Sequence, residues 1–191
     1  CQNFDGGFGC KPNGACESHA GHTFCCLAGL SIAGGLGRLG ARGRARLTRW
    51  LCDRQGALLG PQAGLNGRPS KAPDTCYTWW TLASAELLLR WRAAAGGAEA
   101  DPPLALSDLF RLGELREFIA GCASPTGGVS NHRGKDPDPF HTFFGLAGLS
   151  LLDHAASRER GAPPPWLGEM SPRVALPADL EPSGPLAVAE A

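Results

Sequence analysis

Three side chains with metal-binding atoms stand near the starts of two apolar segments. Asp74 and Cys76 precede the run TWWTLASAELLL, and His141 opens the run HTFFGLAGLSLL. Carboxylate, thiolate and imidazole groups all bind zinc, and three protein ligands leave one tetrahedral position open for a substrate atom. This set therefore indicates a catalytic zinc site. The residue types alone leave an alternative open, in which Asp74 only caps a helix, Cys76 packs as a thiol and His141 lies in a first helical turn.

A second group of polar side chains suits an anion. Arg68 and Lys71 precede an apolar helical segment, and a helix N-terminus attracts anions through its unpaired N–H groups. His19 occupies the matching junction of an earlier segment, and Tyr77 adds a hydroxyl. We predict a diphosphate pocket in which Arg68 makes bidentate contacts. The alternative is a solvated pair of loop charges.

These polar residues occupy equivalent positions of an internal repeat. Residues 22–31 (HTFCCLAGLS) and 141–150 (HTFFGLAGLS) are two copies, with 77–84 (YTWWTLAS) between them. Each copy follows a glycine-rich loop: DGGFG at 5–9, AGLNG at 63–67 and TGGVS at 126–130. Internal repetition predicts an array of like units. Its register brings the three predicted zinc ligands to one mouth of that array.

Each unit is predicted to be an outer amphipathic helix, a glycine loop and a more apolar inner helix. The inner helices are predicted to begin at capping residues, namely Ser18 or His19, Asp74, and Asp138 followed by Pro139. The outer helices are predicted over 45–54 and over 107–121, the second with Ser107 as its cap, and no segment alternates like a strand. The fold class is therefore all-α, an α/α toroid (an α–α barrel) that is incomplete here, with about three repeats.

Composition limits the classes of function. With 18 Lys and Arg against 18 Asp and Glu, the formal net charge is +0, which argues against bulk binding of nucleic acid or an acidic membrane. No apolar run reaches the length of about 18 residues that predicts a transmembrane helix. The eight cysteines are predicted to be reduced, which favours a cytoplasmic protein.

Changes of composition along the chain suggest boundaries. We predict a partial toroid domain over 1–155 and a largely irregular, Pro- and Ala-rich tail over 156–191, with a linker at 92–106. The chain starts at Cys1 inside a repeat, so we expect a fragment that lacks an N-terminal part of its parent.

Two further patterns carry weaker signals. The string GLGRLG at 35–40 matches a dinucleotide-binding motif by letter, but it follows a helix and not a strand, so we set it aside. The second pattern is a basic patch, which consists of Arg38, Arg42, Arg44, Arg46 and Arg49. We interpret it first as a solvated helix face, and a partner-binding surface is the alternative.

Aromatic side chains cluster in the apolar segments. They would give the toroid an interior suited to a long apolar ligand, and ordinary core packing is the alternative. The residues are Phe24, Trp79, Trp80, Phe143 and Phe144.

Several segments together resemble the β subunits of protein prenyltransferases. They are CQNFDGGFG at 1–9, ESHAG at 17–21, RWLCDRQ at 49–55, GLNGRPSKAPDTCYTWWTLAS at 64–84 and DPFHTFFGLAGLSLL at 138–152. The pair Trp79-Trp80 and the segment DPFHT favour the Rab-directed (type II) geranylgeranyltransferases over the farnesyl- and CaaX-directed relatives. Ala63 departs from this resemblance, because it stands where the family's glycine pair usually begins.

The resemblance implies residue roles and partners. One zinc would be bound by Asp74, Cys76 and His141, with magnesium as a further candidate ion. The isoprenoid diphosphate, geranylgeranyl diphosphate, would be held by His19, Arg68, Lys71 and Tyr77, and Trp80 would belong to the lipid pocket. The implied partners are an α subunit and an escort protein that presents a Rab GTPase with C-terminal cysteines.

Other functions remain open at this point. One is a non-catalytic helical-repeat scaffold or an inactive fragment. Another is an enzyme like the terpene cyclases, which use the same kind of toroid but would typically need an Asp-rich motif that the sequence lacks.

Overall fold

The computed structural model describes residues 1–12, 14–56, 64–95, 104–161 and 167–181. Their β-structure is limited to isolated bridges, and the all-α prediction is confirmed. The helices are α1 (Ala20–Ile32), α2 (Gly40–Cys52), α3 (Thr75–Ala94), α4 (Leu106–Leu109), α5 (Leu112–Cys122) and α6 (Pro139–Arg160). Two short 3₁₀ turns, Leu36–Leu39 and Ala178–Leu180, complete the helical elements of these ranges. No helix in the described ranges is long and apolar enough to cross a membrane.

Helix α3 lies between α1 and α6 and forms the centre of the core. A Cβ atom on Gly145 would lie 3.1 Å from Thr75, and one on Gly148 would lie 3.2 Å from Thr78, so these glycines let α6 approach α3 closely. Helix α2 packs against α3, and α5 packs against both α3 and α6. Because neighbours cover α3 on several sides, most of its side chains up to Leu88 are buried.

The predicted capping residues start the three inner helices. The side chain of His19 accepts a hydrogen bond from the Gly21 N–H, and Asp74 accepts one from the Cys76 N–H. Asp138 accepts one from the His141 N–H, with proline in the first turn as predicted. Of the two candidates for α1, His19 is therefore the cap.

Helices α1 and α3 are each also tied to the loop of the following unit. The first N–H of α1, at Ala20, donates to the Gly67 carbonyl over 2.8 Å. The first N–H of α3, at Thr75, donates to the Asn131 carbonyl over 3.1 Å. These equivalent bonds hold the starts of α1, α3 and α6 side by side, so residues in the three first turns face one region.

The single helix predicted over 107–121 is wrong. The chain forms α4, turns extended at Phe110 and then begins α5. Phe110 is buried in the core, and the N–H of Arg111 donates to Gln55 Oε1 over 2.9 Å, so burial and a long-range hydrogen bond outweigh helix continuation. The predicted Ser107 cap is also wrong, because α4 starts at Leu106, where Asp108 accepts from the Ala105 N–H.

Other boundaries also differ. Helix α2 begins at Gly40, earlier than the 45–54 prediction, and includes four arginines of the basic patch, whereas Arg38 lies in the preceding 3₁₀ turn. Helix α3 continues to Ala94 into the predicted linker, whose residues 96–103 lie outside the described ranges.

Among the described residues, regular structure continues beyond residue 155. Helix α6 continues to Arg160, and a bridge pairs Met170 with Pro177. The Ala178 N–H donates to the Glu169 carbonyl, as the Asp74 N–H does to Leu65 in the junction before α3. Residues 167–181 therefore repeat the geometry of a loop-to-helix junction. The remaining predicted tail, 162–166 and 182–191, lies outside the described residues.

Candidate metal centre and anion pocket

The structure brings Asp74, Cys76 and His141 together. Asp74 caps α3, Cys76 lies in the first turn of α3, and His141 lies in the first turn of α6. One ligand atom from each side chain lies within 4.8 Å of the other two. The His141 Nε2 atom lies 3.4 Å from Asp74 Oδ1. The close packing of α3 and α6 thus creates the cluster from residues distant in sequence.

Asp138 fixes the orientation of His141. Its Oδ1 atom accepts the His141 backbone N–H over 2.9 Å, and its Oδ2 atom lies 2.6 Å from Nδ1 of the same ring. With Nδ1 donating to a carboxylate, the lone pair of neutral imidazole is at Nε2, the atom that faces Asp74. Sequence reasoning identified Asp138 only as a helix cap and missed this second role. The Asp-x-x-His spacing across a helix start was the available signal.

The environment of Cys76 favours a bound cation. Burial first, and then the charge of Asp74, raises the pKa of the Cys76 thiol far above its usual range. The thiol therefore stays protonated unless a cation takes the place of the proton. An oxygen, sulfur and nitrogen donor set that leaves one position open fits zinc. The Cys76 backbone N–H donates to Asp74 Oδ1 over 3.0 Å, which ties these two residues together at the start of α3.

His19 and Tyr77 form a polar pair next to this cluster. The His19 Nδ1 atom accepts from the Gly21 N–H over 3.1 Å, and Nε2 lies 3.2 Å from the Tyr77 hydroxyl. Burial, followed by the nearby His22 and Arg68, lowers the pKa of His19, which favours the neutral ring. Since Nδ1 accepts, Nε2 carries the proton and donates to Tyr77. The hydroxyl proton of Tyr77 is therefore available to another acceptor.

Arg68 supplies positive charge beside this pair. It forms a 2.8 Å ion pair with Glu17, with both side chains more than two-fifths exposed. Its charge opposes the effect of burial on Tyr77, whose pKa burial nevertheless raises to about 12. Gly67 makes room for the tyrosine, because a Cβ atom there would overlap the Tyr77 ring. Lys71 is exposed on the same loop, and its backbone N–H donates to the Arg68 carbonyl.

The two tryptophans have different environments. Trp79 is fully buried in the core, as the packing alternative predicts for it. Trp80 is half-buried, and its ring lies 5.5 Å from Tyr77, 5.9 Å from Phe140 and 5.3 Å from Phe144. Phe140 keeps 46% of its surface exposed. An aromatic wall therefore runs from the polar pair along α6.

Comparison with known proteins places these features in a family. Residues 1–182 match the prenyltransferase alpha-alpha toroid domain. The chain is 42% identical over 155 residues to the geranylgeranyl transferase type-2 subunit beta of Saccharomyces cerevisiae, covering 81% of this chain and 41% of that protein. It is 38% identical over 175 residues to the type-2 subunit beta 1 of Arabidopsis thaliana, covering 90% of this chain and 43% of that protein. The chain thus spans less than half the length of these relatives.

Other branches of the family are similar as well. The protein farnesyltransferase subunit beta of Schizosaccharomyces pombe is 36% identical over 154 residues, or 80% of this chain and 37% of that protein. A solved structure, Candida albicans protein geranylgeranyltransferase-I complexed with GGPP, shares the fold with a TM-score of 0.66 at 24% identity, covering 93% of this chain and 45% of that chain. The toroid interpretation is thereby confirmed. The chain belongs to the prenyltransferase alpha-alpha toroid domain family.

Proposed function

We propose that this chain is part of the catalytic β subunit of a zinc-dependent protein geranylgeranyltransferase of type II. The enzyme would transfer geranylgeranyl from its diphosphate to C-terminal cysteines of Rab GTPases. The observation that carries the proposal is the cluster of Asp74, Cys76 and His141, with ligand atoms within 4.8 Å and the His19–Tyr77 pair nearby. The identity to two type-2 β subunits, 42% and 38%, supports the choice of type II.

Asp74, Cys76 and His141 would hold one zinc ion, whose open position would take the substrate cysteine and stabilise its thiolate. A free thiol has a pKa of about 8.5, so about 2 kcal/mol suffices to make the thiolate the main form at neutral pH. The protein's own contribution is to keep His141 oriented through Asp138 and to keep Cys76 away from water.

In the transfer step, the cysteine sulfur forms a bond to C1 of the isoprenoid while the bond from C1 to the diphosphate oxygen breaks. The diphosphate leaves with the electron pair. In the proposal Arg68 and Lys71 offset this charge, and Tyr77 donates its free hydroxyl proton as a hydrogen bond. Arg68 exchanges its exposed partner Glu17 for the diphosphate. Trp80 would border the lipid at the end nearest the leaving group.

The proposed partners follow from the named relatives, which are β subunits. We propose an α subunit as the heterodimer partner, an escort protein that presents the Rab substrate, and a cytoplasmic location. Magnesium would serve as a counter-ion of the diphosphate. A scaffold function gives no reason to place a buried thiol between carboxylates, which raise its pKa.

The test is transfer of labelled geranylgeranyl to a Rab protein by the chain in complex with an α and an escort subunit. Arg68→Ala should keep bound zinc and lower kcat about 100-fold, because one donor to the leaving group is lost. Arg160→Ala, which removes an exposed charge at the far end of α6, is the matched control. Equal rates in both variants would contradict the role of Arg68. Transfer to CaaX peptides without transfer to Rab would contradict the type II assignment.

A further inference from the structure

The basic patch includes a row of arginines that the proposed chemistry does not use. Between Glu17 and Asp53 the sequence contains no acidic residue, although the whole chain has a formal net charge of +0. Arg42, Arg46 and Arg49 follow the spacing i, i+4 and i+7, so they share one face of α2. Arg38 precedes them in the adjoining 3₁₀ turn. We call this row the α2 arginine face.

Ring contacts and ion pairs among the described residues account for only one arginine of the patch. Arg44 is not part of the face, because its guanidinium stacks 4.1 Å above the Trp91 ring. None of the ion pairs in the described part of the chain includes a residue of the α2 arginine face. Arg42 and Arg49 are exposed, whereas the Nε atom of Arg46 is buried and has no hydrogen-bond partner among the described residues.

The stability of α2 does not explain why these arginines are present. Arg42 lies in the first turn, where the helix dipole disfavours cations, and α2 has no capping side chain at its N-terminus. Arg42 and Arg46 are like charges one turn apart, which repel each other. Only Arg49, in the last turn, is favourable to the dipole. The α2 arginine face therefore opposes the local stability of the helix that carries it.

We propose that the α2 arginine face docks an acidic segment of a partner protein. Guanidinium groups bind carboxylates through paired hydrogen bonds, which matches a run of Asp or Glu side chains. A lipid surface fits less well, since the exposed positions of α2 carry only Gly, Ala and Arg and provide no large apolar side chain to insert. The site is separate from the metal cluster, because Arg44 of α2 stacks on Trp91, which lies about four turns along α3 from Cys76.

The test uses a fluorescein-labelled oligoglutamate peptide, and compares wild type with Arg42→Glu/Arg49→Glu. The control variant, Lys11→Glu/Arg160→Glu, makes the same charge change at two exposed cations elsewhere. Fluorescence anisotropy should show saturable binding that the α2 variant weakens at least about tenfold and the control leaves unchanged. Circular dichroism checks that both variants keep their helix content, and Arg42→Gln/Arg49→Gln replaces the α2 variant if it does not fold.

Three results would overturn the proposal. One is peptide binding that falls equally in the α2 and control variants, which would indicate only a net-charge effect. The second is no peptide binding by the folded wild type at low salt. The third is α2-dependent binding to phosphatidylserine vesicles or to a double-stranded RNA oligonucleotide that is tighter than binding to the peptide.

Discussion

Asp138→Asn separates the two roles of the residue that precedes α6. In the wild type one carboxylate oxygen accepts the His141 backbone N–H and the other holds Nδ1 at 2.6 Å. Asparagine has one acceptor oxygen, so it keeps either the cap or the ring. If its amide instead donates to Nδ1, the ring proton moves to Nε2, the atom that would bind the metal. As an N-cap, asparagine is about as good as aspartate, so the helix should persist.

We therefore expect Asp138→Asn to weaken zinc binding about 10- to 100-fold, or about 1.4–2.7 kcal/mol. The unfolding free energy of the metal-free chain should change by less than about 1 kcal/mol. Zinc affinity is measured by competition with a chelator, and stability by urea unfolding. Asp136→Asn, which neutralises an exposed carboxylate two residues away, is the control. Unchanged zinc affinity in a folded Asp138→Asn variant would refute the idea that Asp138 orients a ligand.

Four other substitutions probe the packing and electrostatics around the site. Trp79→Ala should lower the unfolding free energy by about 3–5 kcal/mol in urea titration, whereas Trp80→Ala should mainly weaken geranylgeranyl diphosphate binding, about tenfold by isothermal titration. Gly67→Ala should lower stability by about 1–3 kcal/mol, since the added methyl overlaps the Tyr77 ring. Because the pKa of His19 is lowered below its usual 6.5, stability should fall as the pH drops through that value, and His19→Gln should flatten this slope in urea titrations at several pH values. The assignment of different roles to the two tryptophans would be contradicted if both variants had the same effect. Unchanged stability in Gly67→Ala would contradict the argument from the Tyr77 ring. A pH slope that His19→Gln leaves unchanged would contradict the argument from the pKa of His19.

The parts of the fold that the sequence predicted well depend on local chemistry. Asp74 and Asp138 were recognisable as caps because a short acceptor side chain before an apolar run satisfies free N–H groups. The repeat register then placed Cys76 and His141 near each other without any knowledge of packing. Both signals are encoded within a few residues and repeated along the chain.

The features that were missed depend on long-range contacts. The break at Phe110 arises because its side chain enters the core and Gln55 bonds to Arg111, neither of which a helical period reveals. Trp79 and Trp80 are adjacent and identical in type, so only the packing of α1 and α6 around α3 decides which one is buried. The ring contact of Asp138 is local by contrast, since it spans three residues, but it depends on the rotamer of His141.

The central claim is that Asp74, Cys76 and His141 hold a catalytic zinc ion. The most direct measurement is zinc content by mass spectrometry after co-expression with an α subunit, in wild type, Cys76→Ser and Cys122→Ser. Cys122 is a suitable control because it is also a buried free thiol but lies outside the metal cluster. We predict about one zinc per chain in the wild type and in Cys122→Ser, and none in Cys76→Ser. A folded wild-type complex without zinc, or a Cys76→Ser variant that retains it, would contradict the claim.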